Sequence, residues 1–219
     1  MSIALGIYDV FANIIPGFVY LFVFNKLMMS LGMLPWNVNT TDADMLPYYA
    51  LAFVGLAYVV GHVMDYISYR LWVRVLYREF SEFKAYRQFH EKYSELGAIF
   101  RPEQAPLLFN IIRRNNYQLA IDIEKNKVIC VMLRNISFGL FLLFSILVYE
   151  TFKNGFYYPA LVSALMSFVG SVVALRRGEL MNEYFYRLIF ENAFVYGKNL
   201  KEILDRGKPT TIQHKKASK

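Results

Sequence analysis

Residues 136–152 read Ile136-Ser-Phe-Gly-Leu-Phe-Leu-Leu-Phe-Ser-Ile-Leu-Val-Tyr-Glu-Thr-Phe152, with one formal charge, at Glu150. Such a run is typical of a transmembrane helix, which needs about 20 mostly apolar residues to cross the hydrocarbon. A second run, from Phe156 to Leu175, follows after a few residues around Lys153-Asn154-Gly155. Because the connection is so short, we expect the two runs to form an antiparallel hairpin.

Two more apolar stretches lie earlier in the chain, from about Val10 to Leu34 and from about Leu46 to Tyr69. Hydrophobic residues make up 56% of the 219 residues and charged residues 19%, whereas soluble domains carry about 25% charged residues. The sequence therefore predicts an all-α polytopic membrane protein with four transmembrane helices and a cytoplasmic helical region.

Lysine and arginine are distributed unevenly between the segments that flank these stretches. Residues 70–134 carry 12 Lys and Arg against 7 Asp and Glu, and residues 176–219 carry 10 against 5, so each segment is net +5. The loop from Pro35 to Met45 has no basic residue. Because basic segments stay on the cytoplasmic side, we expect both termini to be cytoplasmic, and the compact loops are typical of a bacterial inner-membrane protein. Three basic pairs are interpreted first as topology determinants. The alternatives are contacts with anionic lipid headgroups, with nucleic acid or with an acidic partner protein. The pairs are Arg113-Arg114, Arg176-Arg177 and Lys215-Lys216.

The pattern divides the chain into two transmembrane helices (1–69), a cytoplasmic helical insert (70–135), a transmembrane hairpin (136–175) and a cytoplasmic helix with a basic tail (176–219). Apolar residues recur every three or four positions from Trp72 to Phe100, which predicts an amphipathic helix that continues the second span. Its aromatic face is expected to pack on the return arm of the insert, on the C-terminal helix or on another subunit.

Small side chains form a stripe along the fourth span, at steps of four, three, four and three. Small residues let helix backbones approach closely. The stripe contacts either the third span of the same chain or another subunit. Since four helices enclose little interior, we expect a homo-oligomer of closed symmetry. The stripe consists of Ala160, Ala164, Ser167, Ser171 and Ala174.

Pro16-Gly17 lies inside the first span. Proline lacks a backbone donor and clashes with the preceding turn, so a kink is expected there. The kink is interpreted as a static bend, and a hinge for gating is the functional alternative.

Polar side chains within the spans are candidates for function, because burying them in lipid is costly. Lys26 is expected to snorkel to the outer interface or to face a wet cavity. His62 and Asp65 are three residues apart, hence on one helix face, and a structural ion pair of Asp65 with Arg70 or Arg134 is the alternative. The polar intramembrane candidates are Asn25, Lys26, His62 and Asp65.

Enzymatic motifs are missing from the sequence, which has no phosphate loop, nucleophile elbow or paired-histidine zinc motif. We therefore expect no catalytic residue, no cofactor, no metal site and no small-molecule substrate. The single cysteine, Cys130, is expected to be buried and unreactive.

The layout of four spans, helical insert and cytosolic tail resembles KwaA, the membrane subunit of the bacterial Kiwa anti-phage defence system. The segments Asn13-Ile-Ile-Pro-Gly-Phe18 and Tyr58-Val-Val-Gly-His62 have the look of that family. The resemblance implies an oligomeric membrane protein that works with a cytosolic DNA-binding partner, and it carries over no site residue.

Two functions are predicted from these features. The first is an oligomeric membrane sensor or scaffold, embedded in membrane lipid, whose cytoplasmic helices recruit a cytosolic partner in anti-phage defence. The alternative is a pore-forming effector or ion channel, in which the polar candidates line the axis. A transporter is disfavoured because the four spans show no repeat symmetry.

Overall fold

The computed structural model describes residues 3–33, 46–73, 81–93, 101–154 and 158–196. Almost all of them are helical, and no strand occurs in this part of the chain. The α-helices are α1 (Ile3–Ser30), α2 (Leu46–Ser68), α3 (Ser81–Lys92), α4 (Ala105–Asn115), α5 (Tyr117–Asn154) and α6 (Tyr158–Tyr196).

Four of these helices, α1, α2, α5 and α6, are long and apolar enough to cross a membrane. The prediction of an all-helical chain with four candidate spans is therefore confirmed. α5 has 38 residues and α6 has 39, so each is about 57–58 Å long at 1.5 Å per residue. This is roughly twice the hydrocarbon thickness. Both helices therefore extend well past the apolar runs, and the boundaries predicted at 135/136 and 175/176 fall inside continuous helix.

The four long helices form an open row in the order α2, α1, α5 and α6, with a further contact between α2 and α5. In α1 and α5, 33% of the apolar window is buried, against 17% in α2 and α6. The two outer helices therefore present broad apolar faces, which need lipid or another subunit to cover them.

The contact between α1 and α2 depends on two glycines. A Cβ atom on Gly17 would collide with the backbone carbonyl of Ala57, and one on Gly61 would collide with that of Asn13. α1 continues as one helix through Pro16, whose ring is buried. The Pro-Gly pair is thus a site of close helix packing, whereas its role as a hinge stays a prediction.

A second packed region, here called the helical domain, consists of α3, α4, the first part of α5 and the last part of α6. The amphipathic pattern from Trp72 was expected to form one long helix. α2 is followed by a π-helical turn, Tyr69–Val73, and α3 is a helix of 12 residues. The continuity between the two stays a prediction. Residues 74–80 and 94–100 lie outside the described residues, as does the basic tail. The core of the domain contains Ala85, Phe89, Ala105, Leu108, Ile111, Ile112, Ala120, Ile123, Ile189, Phe190 and Ala193.

The aromatic face of α3 packs mainly on α6, which is the C-terminal helix. The ring centroid of Phe89 lies 5.0 Å from that of Tyr93 and 6.3 Å from that of Phe190. Of the three packing partners considered for this face, the structure therefore selects the C-terminal helix of the same chain.

Candidate functional site

Polar side chains meet where the row of long helices joins the helical domain, and we call this group the junction cluster. Asp65 and Ser68 lie one turn apart at the end of α2, and α5 carries Arg134, Asn135 and Ser137 where its apolar run begins. Such a concentration of polar groups next to an apolar span requires mutual pairing, because an unpaired polar group is costly to bury. The junction cluster comprises Tyr20, Asp65, Ser68, Arg134, Asn135, Ser137 and Ser171.

An ion pair forms the centre of the junction cluster. Arg134 Nη2 lies 2.6 Å from Asp65 Oδ1, and Asn135 Nδ2 donates to the same oxygen at 2.9 Å. The Arg134 guanidinium also covers the ring of Tyr69, 5.0 Å from the centroid. Only 10% of the Arg134 side chain is exposed, against 33% for Asp65. Because removing one partner would leave a buried charge, this pair firmly connects α2 to α5.

Asn135 joins three helices. Its side-chain oxygen accepts a hydrogen bond from the hydroxyl of Ser68, and its backbone carbonyl accepts one from the hydroxyl of Tyr20 at 2.8 Å. Tyr20 and Asn135 are fully buried. These bonds fix the angle at which α1 and α2 meet α5.

Two serines connect α5 to α6. Ser137 Oγ donates to the Ser171 carbonyl at 2.8 Å, and Ser171 Oγ donates to the Ser137 carbonyl at 2.9 Å. The indole nitrogen of Trp72 donates to Ser137 Oγ at 3.2 Å. The π-helical turn after α2 is thereby attached to the same point.

The small-residue stripe of α6 faces α5. Ala164, Ser167 and Ser171 are buried, and Ala160 and Ala174 are partly buried. Of its two interpretations, the structure thus shows packing against the third span of the same chain. A subunit interface would have to use the opposite, exposed face of α6.

Lys26 forms an ion pair within the chain, and its expected position at the outer interface or beside a wet cavity stays a prediction. Its Nζ lies 2.9 Å from Glu150 Oε2, and the two side chains are 31% and 16% exposed. Asn25 beside it is partly buried. Glu150 follows Arg134 by 16 residues along α5, which corresponds to about 24 Å. Two ion pairs within the chain therefore bracket the apolar part of α5 at a spacing close to the thickness of the hydrocarbon.

His62 and Asp65, which were predicted to lie on one helix face, make different contacts. Asp65 turns toward α5, whereas His62 is exposed and stacks on Tyr58, with 6.4 Å between the ring centroids. Three residues along an α-helix leave an angular offset of about 60°. At the edge of a helix contact, this offset is enough to separate an inward from an outward side chain.

The helical domain has a polar contact of its own, which the sequence did not reveal. Glu183 of α6 is buried, and its carboxylate lies 2.6 Å from Lys84 Nζ and accepts a bond of 2.5 Å from Gln88 Nε2. These contacts attach α3 to α6 by charge as well as by its aromatic face. Nearby on α3, the pKa of Glu82 is raised, mainly by burial and secondly by the negative charge of Glu103.

Sequence reasoning missed Asn135, Ser137 and Ser68 as members of the site. A usable signal was present, because Arg134-Asn135-Ile-Ser137 places three polar residues at the entrance of an apolar run. The burial of Cys130 is confirmed, at 6% exposure. Within the described ranges, no group of His, Cys, Asp and Glu side chains has the arrangement of a metal site.

No protein-family model, curated protein or solved structure matches this chain. The resemblance to the Kiwa membrane subunit therefore stays a prediction.

Proposed function

We propose that the protein is an oligomeric inner-membrane scaffold or sensor that recruits a cytosolic partner protein through its helical domain. The observation that carries this proposal is the continuity of α5 and α6, which run from the candidate spans into the helical domain without a break. Rigid elements of this kind carry coupling between distant parts of a protein. A change in the packing of the spans would thus reach the surface of the helical domain.

The orientation follows from contacts and charge together. Lys125 Nζ lies 5.6 Å from the centroid of the Tyr8 ring, so the start of α1 lies beside the helical-domain part of α5. The Lys26–Glu150 pair lies at the other end of the apolar run. Under the positive-inside rule, the net positive segments support a cytoplasmic location for the helical domain and both termini.

The contacts of the polar candidates favour a scaffold over a pore. Lys26 and Asp65 pair with partners in their own chain, and His62 lies on an exposed face away from Asp65. A conducting pathway needs polar groups that line one axis. Within a single copy, Lys26 and Asp65 are therefore not unpaired charges that would line a pathway, and this pairing supports the scaffold.

The end of α4 is a suitable docking surface for the partner. Arg113 and Arg114 are exposed there, and the Arg113 guanidinium lies 5.9 Å from the centroid of the exposed Tyr117 ring. Tyr117 precedes Arg134 by 17 residues, or about 25 Å along α5. Basic and aromatic groups this far from the junction suit an acidic surface on a soluble protein. As the Kiwa resemblance implies, the partner in anti-phage defence would bind DNA elsewhere on its surface.

The proposal is tested by expressing the tagged chain in its own host and purifying it in mild detergent together with any soluble protein bound to it. We expect a soluble protein to co-purify and native mass spectrometry to show several copies of the chain. The variant Arg113→Ser/Arg114→Ser should lose the partner and Arg113→Lys/Arg114→Lys should keep it, because lysine preserves the charge. Recovery of a lone chain, or equal capture by both variants, would contradict the proposal.

A further inference from the structure

A groove of about 390 Å³ lies between α5 and α6 at the junction. Its volume is within the range of small-molecule sites, which are mostly apolar with a few polar groups. It borders the junction cluster through Ser171, whose hydroxyl bonds to α5. The lining residues are Trp72, Phe141, Phe168, Ser171, Val172, Leu175, Arg176 and Glu179.

The groove has an apolar end and a charged end. Along α6 it extends from Phe168 to Glu179, eleven residues or about 16 Å. Half of a typical hydrocarbon core is about 15 Å thick. The groove therefore has the length of one acyl chain in a single leaflet, with its charged end at the level where the apolar run of α6 stops.

The charged end carries both signs. Arg176 Nη1 lies 3.3 Å from Glu179 Oε2, and the side chains are 76% and 25% exposed. A lipid phosphate would pair with the guanidinium, and a primary ammonium next to that phosphate would pair with Glu179. A headgroup that is only anionic would meet the glutamate unfavourably, and a choline group has no proton to donate to it.

We propose that this groove binds one phospholipid with a primary ammonium headgroup, such as phosphatidylethanolamine. Its acyl chain lies along α6 toward Phe168, and its phosphate and ammonium groups contact Arg176 and Glu179. The bound lipid covers the apolar wall next to Trp72, at the point where the π-helical turn is attached to α5. This proposal requires membrane insertion but goes beyond the proposed scaffold function, and it stands whether or not a cytosolic partner exists.

Trp72 provides a probe inside the groove. The chain has two tryptophans, so the variant Trp36→Phe leaves Trp72 as the sole indole. The full-length protein is reconstituted in nanodiscs of unbrominated phosphatidylcholine to which one lipid with brominated acyl chains is added. The brominated lipid is phosphatidylethanolamine, phosphatidylglycerol or phosphatidylcholine, and quenching of Trp72 fluorescence reports which of them occupies the groove.

We expect brominated phosphatidylethanolamine to quench Trp72 fluorescence at a mole fraction about fivefold lower than either of the other two brominated lipids requires. A preference of about fivefold is what one exposed ionic contact provides. Arg176→Gln and Glu179→Gln should each abolish the preference. Val172→Phe should fill the groove and reduce quenching by all three lipids. The neighbouring substitutions Arg177→Gln and Val173→Phe serve as matched controls, because neither residue lines the groove, and both should behave like the parent.

Equal quenching by the three lipids, unaffected by Val172→Phe, would show ordinary surrounding lipid and overturn the proposal. Absence of quenching by any brominated lipid would show that protein, such as a second copy, covers the groove, and would also overturn it. Circular dichroism of each variant separates loss of binding from loss of fold.

Discussion

Removing the charge of Asp65 should destabilise the protein clearly, although Asp65 lies on α2, an outer helix of the row, where many side chains are exposed. In Asp65→Asn, the Arg134 guanidinium keeps its buried position, with 10% of the side chain exposed, but loses its counter-charge. Breaking a fully buried pair costs about 3–5 kcal/mol, and an exposed pair contributes about 0–1 kcal/mol. Because a third of Asp65 is exposed, we expect an intermediate loss of about 2–3 kcal/mol. For a chain of this size the loss lowers the Tm by about 5–10 °C.

The assay is thermal unfolding in nanodiscs, followed by circular dichroism, with a double-mutant cycle to isolate the pair. Arg134→Met should cost less than Asp65→Asn, because Asp65 keeps its hydrogen bond from Asn135 and part of its solvent. The double variant should cost clearly less than the sum, because it leaves no unpaired charge. Lys92→Gln, which breaks an exposed pair outside the junction, is the control and should change the Tm by less than about 2 °C. Additive losses, or an unchanged Tm in Asp65→Asn, would refute this account of the junction.

Three further predictions follow from the packing. Gly17→Ala should destabilise the protein by about 2–3 kcal/mol, because the new methyl group overlaps the α2 backbone. The control is Gly55→Ala, where a Cβ meets no atom within 4 Å; it should not lower the Tm in the same melting assay. Glu183→Gln should speed amide hydrogen exchange in α3 about tenfold, because α3 loses its charged contact with α6. Glu191→Gln, the same change at the exposed pair with Lys92, should change exchange less than about twofold, and equal rates in the two variants would count against the role of Glu183. Liposomes containing the protein should retain an encapsulated dye, because the two charged candidates, Lys26 and Asp65, pair within each chain. Release of dye would favour the pore-forming alternative.

The spans were predictable because their cause is local. A helix that crosses hydrocarbon must be long and apolar, and this is visible in any one stretch, such as residues 136–152. The helix ends and domain boundaries were not predictable in the same way. α5 continues from Tyr117 through Arg134 into the apolar run because nothing in its backbone stops it. A change of composition along a chain therefore does not mark a break in a helix.

The polar candidates within the spans were also predictable only in part: the sequence identified them but not their partners. The sequence identified Asp65 and offered Arg134 as one of two partners, but distance along the chain could not choose between Arg134 and Arg70. The choice depends on the row of helices, which brings the end of α2 to α5 while Arg70 bonds to Tyr66 on its own helix. The same packing brings Lys26 to Glu150 and turns Asp65 toward α5, whereas His62 on the same helix as Asp65 is exposed.

By itself, the sequence determined the helical class of this protein, the number of its candidate spans and the uneven distribution of its charge, since each depends on the length and composition of a single stretch. Only the tertiary structure decided that the small-residue stripe of α6 faces α5, that the aromatic face of α3 packs on α6, and that Asn135 joins three helices. Those outcomes depend on which faces meet between helices that are distant in the chain, from 34 residues for Ser137 and Ser171 to 115 for Tyr20 and Asn135. Helical periodicity defines a face but not its partner.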